Sequence, residues 1–174
     1  MDRLQPDKAE CFVSVFKAGA LSRIGHDVLL KFETMALTLD DEGAMTAEFR
    51  VGSLVVVAAL VDGRQQPHML SPKDKRDIAD NIGKVLEPGR FATATFKSES
   101  SEATDNGYRI RGALTLHGVT RTIDVRGVRR DGAIVATVVL RQPDYGLKPF
   151  KAFLGALKIK PEVSVEIRVP EAAA

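Results

Sequence analysis

Hydrophobic and polar residues alternate along much of this chain with a period of two, which is typical of β-strands with one buried face. From residue 45 to residue 51 every second residue is apolar, and similar alternation recurs near residues 108–116, 134–140 and 163–169. The pattern predicts about eight strands, at roughly residues 10–18, 27–39, 45–60, 92–100, 108–116, 119–128, 133–141 and 162–169.

Short turn sequences separate these strands. They are "DDEG", "DNG", "HG" and "DG" at residues 40–43, 105–107, 117–118 and 131–132, and each supplies a glycine for positive φ. Tight turns indicate antiparallel pairing, because parallel strands need long crossovers. The sequence therefore predicts an all-β, eight-stranded antiparallel barrel, since closure removes exposed sheet edges. A two-sheet sandwich is the alternative that periodicity leaves open.

The second predicted strand changes phase along its length. Its apolar set is Val28, Leu30 and Phe32 in the first half and Met35, Leu37 and Leu39 in the second. A bulge near Thr34 would explain the shift and would let the strand curl.

One α-helix is predicted between the strands. Ser71 is a suitable N-cap, Pro72 fits the first helical position, and Asp74 adds a favourable charge to the first turn. Pro88 ends the helix. Its apolar stripe, which could cover one mouth of the barrel, is Ile78, Ile82, Val85 and Leu86.

A second helical segment is predicted over residues 150–157, just before the last strand, where apolar residues at helical spacing lie among lysines. Four interpretations stay open. The segment could pack on the barrel, or it could form a cavity mouth at which Lys148 or Lys151 meets an anionic head group. It could also enter a membrane surface, against which Gly155 counts, or bury itself in a homodimer.

Composition narrows the class of protein. The 174 residues suit a single domain with a core of about residues 10–169. A net charge of +2 and the absence of tryptophan argue against nucleic acid as a partner. No apolar stretch is long enough for a transmembrane segment, and no signal peptide is visible. With Cys11 as the only cysteine, these features predict a cytoplasmic location.

The sequence shows no combination of residues that is typical of a catalytic site. The sequence has no metal-ligand spacing and no phosphate loop, so it predicts no metal and no cofactor. Cys11 is expected to be a buried small hydrophobe, and His117 a tolerated turn residue. His26 and Asp27 could form a catalytic pair, but neighbours on a strand point to opposite faces. We therefore interpret them as a polar cluster at one barrel end, with an enzyme as the alternative.

The apolar strand residues could either fill the barrel or line a cavity for one ligand. Small residues on the strands, such as Gly112, Gly127 and Ala136, favour a cavity. The expected ligand contacts are Phe16, Leu30, Phe32, Phe49, Phe96, Ile110, Leu114, Ile123, Phe150 and Phe153. The polar candidates for the mouth are His26, Asp27, Lys148 and Lys151.

Four stretches are similar to the YceI-like family. "GALTLHGVTRTIDVRGV" (residues 112–128) resembles its strand-turn-strand signature. "FATATFKSES" (91–100) resembles the preceding strand, with Ala92 in place of the usual proline. "VLLKFETMALTLD" (28–40) matches the second strand, and residues 144–169 resemble the closing segment. The resemblance covers about residues 10–169.

The resemblance implies a lipocalin-like barrel whose elongated apolar cavity binds isoprenoid or other long amphiphilic lipids, and it carries over no catalytic residues. Many members are exported, whereas this sequence looks like a cytoplasmic branch. We therefore expect a non-enzymatic protein that binds, sequesters or transports a long hydrophobic ligand. The alternative is a structural or protein-interaction module whose barrel is filled by side chains.

Overall fold

The computed structural model describes residues 3–19, 26–152 and 157–173. Within them, twelve strands form one antiparallel sheet. The strands are β1 (Glu10–Ala18), β2 (Asp27–Phe32), β3 (Met35–Leu39), β4 (Met45–Arg50), β5 (Leu54–Val61), β6 (Arg64–Gln66), β7 (Thr93–Thr104), β8 (Gly107–Leu116), β9 (Val119–Arg130), β10 (Ala133–Arg141), β11 (Lys151–Ala152) and β12 (Leu157–Pro170). An α-helix, α1 (Pro72–Leu86), and three short 3₁₀ turns (Pro6–Lys8, Val51–Ser53 and Gln142–Tyr145) complete the described elements.

The strand order shows that the sheet is curled. The strands run β3-β4-β7-β8-β9-β10-β12-β1-β2-β5-β6, and β11 pairs with β12. Strand β3 is the first of this order and β2 is the third from its other end, yet only Glu33 and Thr34 separate them along the chain. Strands β4 and β5 are likewise separated only by a 3₁₀ turn. The chain therefore joins the two ends of the sheet at two adjacent bends.

Hydrogen bonds hold these two bends together. The Glu33 N–H donates to the Ser53 carbonyl at 3.1 Å, and the Arg50 N–H donates to the Thr34 carbonyl at 3.0 Å. The Thr34 N–H donates to Ser53 Oγ at 3.0 Å. Because the chain bends between β2 and β3, Leu30 before the bend and Leu37 after it are both buried inside the sheet. The predicted change of apolar phase is thus confirmed, and it occurs at a break between two strands.

The inner face of the sheet is apolar, as the alternation predicted. Strand β4 shows the pattern clearly, with Ala47 and Phe49 buried and their neighbours Thr46 and Glu48 exposed. Among the described residues, the fully buried side chains include no charged or amide group. The outer face carries the ion pairs, such as Arg111 with Asp124 across β8 and β9.

Helix α1 begins and ends close to where the sequence predicted. The Ser71 side chain accepts the Asp74 N–H at 3.0 Å, and Asp74 Oδ2 accepts the Ser71 N–H at 2.9 Å, which completes a capping box. This exchange lowers the pKa of the Asp74 carboxyl below its usual value. Glu87 ends the helix in the left-handed conformation with φ 50°.

Among the described helices, none has the length and apolar character needed to cross a membrane.

Some elements differ from the prediction. The described chain has twelve strands and not eight, because two predicted strands are each broken at a bend and because β6 and β11 are additional. The predicted helical segment over residues 150–157 is wrong at its described start, since Lys151–Ala152 is a strand paired with the beginning of β12. Residues 153–156 lie outside the described residues. Strand β7 continues through residues 101–104, which are exposed and polar except for Ala103, because β8 pairs with them.

Gly112 in β8 allows the Phe96 ring of β7 to lie against the backbone. A Cβ at Gly112 would lie 2.5 Å from Phe96 Cζ and would also meet the Lys97 carbonyl oxygen. We expect Gly112→Ala to lower the free energy of unfolding by about 1–3 kcal/mol, because the inserted methyl overpacks this contact. Urea unfolding followed by circular dichroism measures the change.

Gly83→Ala is the matched control, because a Cβ at Gly83 in α1 would meet no atom within 4 Å. This variant should gain about 0.5–1 kcal/mol, since alanine favours the helix. Equal effects of the two substitutions would contradict the packing of Phe96 described above.

Candidate ligand-binding cavity

A cavity of about 410 Å³ lies inside the curled sheet. Strands β1–β5, β7–β10 and β12 contribute to its wall, and α1 covers one end with Ile78, Ile82, Val85 and Leu86. The predicted stripe of the helix therefore faces the cavity. We name the two ends of the cavity the helix end, where α1 lies, and the hairpin end, where the β3–β4, β7–β8 and β9–β10 turns lie.

The wall of the cavity combines aromatic rings with very small side chains. Phe32 and Phe49 meet at the bend with ring centroids 5.3 Å apart. Ala47, Ala94 and Ala136 also line the cavity, and each leaves space that a larger side chain would fill. Gly127 lines it too, but there a Cβ would lie 2.7 Å from Ile134 Cγ2, so this glycine permits close packing and leaves no space. The interior is therefore apolar but incompletely filled by the side chains that point into it.

Polar side chains reach the cavity mainly at the helix end. They come from the end of β1, the residue before β2, the face of α1, the residue after β10 and the start of β12. These residues are Lys17, His26, Asn81, Gln142 and Lys158. At the hairpin end the described lining residues are apolar apart from Tyr108, whose hydroxyl interacts with the Arg129 guanidinium. The cavity thus has a polar end and an apolar end.

A side-chain cluster ties the C-terminal end of α1 to the β8–β9 turn. His117 Nε2 lies 2.9 Å from Glu87 Oε2, and the Phe91 ring packs on the imidazole with centroids 4.1 Å apart. His117 and Glu87 both have positive φ, at 52° and 50°. The structure confirms His117 as a residue of the β8–β9 turn, and it adds contacts of the His117 ring with Glu87 and Phe91 at the end of the helix that covers the cavity.

The predicted apolar contacts fall into three groups. Those on the cavity are Leu30, Phe32, Phe49, Phe96, Ile110, Leu114, Ile123 and Phe150. Phe16 does not line it, because β1 alternates and turns Cys11, Val13, Val15 and Lys17 inward. The side chain of Phe153 lies outside the described residues.

Most of the polar residues predicted for the cavity mouth do not line the cavity, and other polar residues do. His26 lines the cavity, but the Asp27 carboxylate accepts the Lys17 backbone N–H at 2.8 Å and fastens β1 to β2. Lys148 and Lys151 are exposed and do not line the cavity. Lys17 and Lys158, which we did not predict, do line it. The alternation of β1 could have indicated Lys17, which follows Cys11, Val13 and Val15 on the inward face.

The described residues offer no cluster of three or more histidine, cysteine or acidic side chains that could hold a metal ion. The cavity-lining thiol of Cys11 is buried, as expected, and only 1% exposed. Burial raises the pKa of the Cys11 thiol to about 12. The protonated form is a poor nucleophile, so this position favours packing over reactivity.

An antiparallel sheet curled around an apolar cavity, with one helix over its end, matches a lipocalin-like fold. The family model for the YceI-like domain matches residues 7–170. The chain therefore belongs to the YceI-like family. This confirms the resemblance seen in the sequence.

Solved structures share this fold at low sequence identity. Burkholderia cenocepacia BcnA is 13% identical with a TM-score of 0.62, over 95% of this chain and 98% of that chain. A polyisoprenoid binding domain from Saccharophagus degradans, implicated in plant cell wall breakdown, is 15% identical with a TM-score of 0.59, over 98% of both chains. The Campylobacter jejuni YCEI protein is 11% identical with a TM-score of 0.52, over 83% of this chain and 85% of that chain. A search of curated proteins found no significant match.

The Cys11 thiol provides a test of the buried wall. We expect thiolate absorbance at 240 nm to stay absent up to about pH 10 in the native protein, and reaction with a thiol reagent at pH 8 to be very slow. The unfolded chain releases this proton near pH 9.0, so the contribution of the thiol to the free energy of unfolding falls between pH 9 and 12. Reaction as fast in native protein as in denaturant would contradict this burial.

His117→Asn tests the attachment of the helix. Asparagine tolerates positive φ but is too short to reproduce the contacts with Glu87 and Phe91. We expect a loss of about 0.5–2 kcal/mol in the free energy of unfolding and faster amide exchange in α1. His68→Asn is the control, since His68 is exposed in the loop before α1. If both variants behave alike, His117 does not hold the helix.

Proposed function

We propose that this protein binds one long hydrophobic or amphiphilic ligand, of isoprenoid type, in the cavity and sequesters or carries it without catalysing a reaction. The observation that carries the proposal is the apolar cavity of about 410 Å³ inside the sheet. Its volume lies within the range of roughly 300–1,000 Å³ that ligand pockets occupy. The related structure from Saccharophagus degradans is a polyisoprenoid binding domain, which supports the same class of ligand.

Closure of the sheet is part of this proposal. When β2 with β3 and β4 with β5 are each counted as one bent strand, eight strands surround the cavity in a complete circuit of pairings. The hydrogen bonds between the two bends support this interpretation. A closed barrel would surround an alkyl chain on all sides along its length, which is how small barrels hold a single ligand.

The free energy of transferring apolar groups from water to the cavity favours a ligand with a long chain. Each methylene transferred from water to an apolar wall contributes roughly 0.8 kcal/mol, so several isoprene units exceed the cost of association. The wall offers few polar groups that could distinguish one chain from another. Selectivity between chain lengths should therefore be modest, at about 1–3 kcal/mol per methylene that does not fit.

Non-catalytic binding also agrees with the positions of the candidate reactive groups His26, Asp27 and Cys11. Asp27 is engaged with the Lys17 N–H, while His26 faces the cavity. The thiol of Cys11 is held in its protonated form. A cytoplasmic location and a homodimer stay predictions from the sequence.

Ala136→Phe tests the cavity as the binding site. Ala136 lines the cavity, and a phenyl ring there would occupy space that an alkyl chain needs. We expect the affinity of lipid-free protein for geranylgeraniol, measured by displacement of a fluorescent lipid probe, to fall at least tenfold, because the lost contacts correspond to several methylenes.

Ala36→Phe is the matched control, because Ala36 is exposed on the outer face of β3. It should leave the affinity within twofold of the original protein. Circular dichroism and thermal unfolding establish that both variants fold. Equal affinity in the folded Ala36→Phe and Ala136→Phe variants would contradict binding inside the sheet, and a protein that binds no long-chain probe would favour the filled-barrel alternative.

A further inference from the structure

The ladder of backbone hydrogen bonds is interrupted between β9 and β10. Strand β9 pairs with β8, and β10 pairs with β12, along most or all of their lengths. Yet β9 and β10 pair with each other only where residues 127–130 meet residues 133–136. The other residues of the two strands, 119–126 and 137–141, are all described and have no such pairing with each other. We name the gap between them the seam.

A pocket of about 300 Å³ lies on the outer side of the seam. Residues of β9, of β10 and of the 3₁₀ turn that follows β10 line it. Two of these residues, Ile123 of β9 and Leu140 of β10, also line the inner cavity of about 410 Å³. Their side chains therefore stand between the outer pocket and the cavity.

Building on the proposed function, we propose that the apolar chain of the ligand enters and leaves the cavity sideways, through the seam, when the Ile123 and Leu140 side chains move apart. Separating two paired strands breaks the backbone hydrogen bonds between them, whereas separating β9 from β10 at the seam breaks no ladder bonds. Rotation of two side chains is also much faster than local unfolding of a strand. The seam is thus the part of the wall that opens at the smallest cost to the sheet.

Side chains and one turn hold the seam closed near the helix end. Arg121 Nε of β9 donates to the Asp144 carbonyl oxygen at 2.7 Å, and the Arg141 guanidinium of β10 lies 3.9 Å from Asp144 Oδ1. Both arginines and Asp144 are exposed, and exposed contacts of this kind separate more easily than a continuous ladder. The 3₁₀ turn therefore connects the two edges of the seam without fixing them along their length.

The outer edge of the seam is apolar at the place where a chain would cross it. Val139 lines the outer pocket beside Leu140 and is 67% exposed, more than any other large hydrophobic residue that the structure describes. A chain that crosses the seam would cover Val139 before it reaches the cavity, so part of its apolar surface would stay out of water on the way.

A chemical bridge across the seam tests the inference. Thr122→Cys and Val139→Cys place one thiol on each edge of the outer pocket, and bis(maleimido)ethane joins them. The Cys11 thiol does not compete, because it is buried and its pKa is raised to about 12. We expect the bridge to slow two rates at least tenfold. They are the uptake of cis-parinaric acid by lipid-free protein and its release from loaded protein into phosphatidylcholine vesicles.

The matched control is the same bridge between Thr115→Cys and Thr120→Cys. These positions lie opposite each other where β8 and β9 are paired, and the two threonine hydroxyl oxygens are 2.7 Å apart. This bridge adds the same reagent where the sheet is already closed. It should leave both rates within twofold of the original protein.

Leu140→Ala tests the gate in the opposite direction. A shorter side chain at this position should speed uptake and release about tenfold relative to Leu39→Ala. Leu39 lines the cavity but not the outer pocket, so Leu39→Ala removes the same atoms from the wall away from the seam. Because both variants enlarge the cavity, the difference between their rates, and not their affinities, reports on the gate.

The outcomes separate the inference from the proposed function. If the original protein binds neither cis-parinaric acid nor geranylgeraniol, the proposed function fails and the inference fails with it. If it binds them but the seam bridge slows exchange no more than the control bridge does, the inference fails while the proposed function stands.

A route under α1 is the competing path. Such a route requires the helix to move away from His117, whose Nε2 lies 2.9 Å from Glu87 Oε2. Faster exchange in His117→Asn, together with unchanged exchange in the bridged protein, would place the path there and overturn the inference. Circular dichroism and thermal unfolding establish that the compared proteins are folded.

Discussion

The fold depends on the two adjacent bends that join the ends of the sheet. A strand that shifts its apolar phase would normally expose half of its hydrophobic residues, because side chains alternate between faces. Here Glu33 and Thr34 restore the phase, and the 3₁₀ turn at Val51–Ser53 makes the matching change in the neighbouring strand. The hydrogen bonds between these segments keep both halves facing inward. The curled sheet and its cavity both follow from this local arrangement.

The same arrangement explains why the interior is not filled. Curling brings inward side chains from ten strands together, and several of those positions carry alanine. One end carries the β3–β4, β7–β8 and β9–β10 turns, whereas the other is covered by an amphipathic helix whose last residue contacts His117 through Glu87. The result is an apolar space with one helix-covered end.

Much of this architecture could be predicted from local sequence patterns. The predictions fail where the structure of a segment depends on pairing with a strand that is distant in the sequence. The N-cap at Ser71 and the turns at His117 and Asp131 follow from short-range rules, and the structure confirms them. The polar end of β7 forms a strand only because β8 lies beside it, which alternation cannot indicate. Phe16 was misplaced although alternation along β1, which turns Val13, Val15 and Lys17 toward the cavity, excludes it from that face. Lys158 was missed because the predicted last strand began at residue 162, whereas pairing with β1 and β11 extends β12 back to Leu157.

The central claim is that the sheet holds one long apolar chain in its interior. Native mass spectrometry of gently purified protein tests it most directly, because it compares the mass of the intact folded protein with that of the denatured chain. We expect the folded protein to carry one additional molecule with the mass of a long-chain lipid, released on unfolding and recovered by organic extraction. A folded protein with the mass of the bare chain, which also fails to take up added long-chain lipid after refolding, would contradict the account.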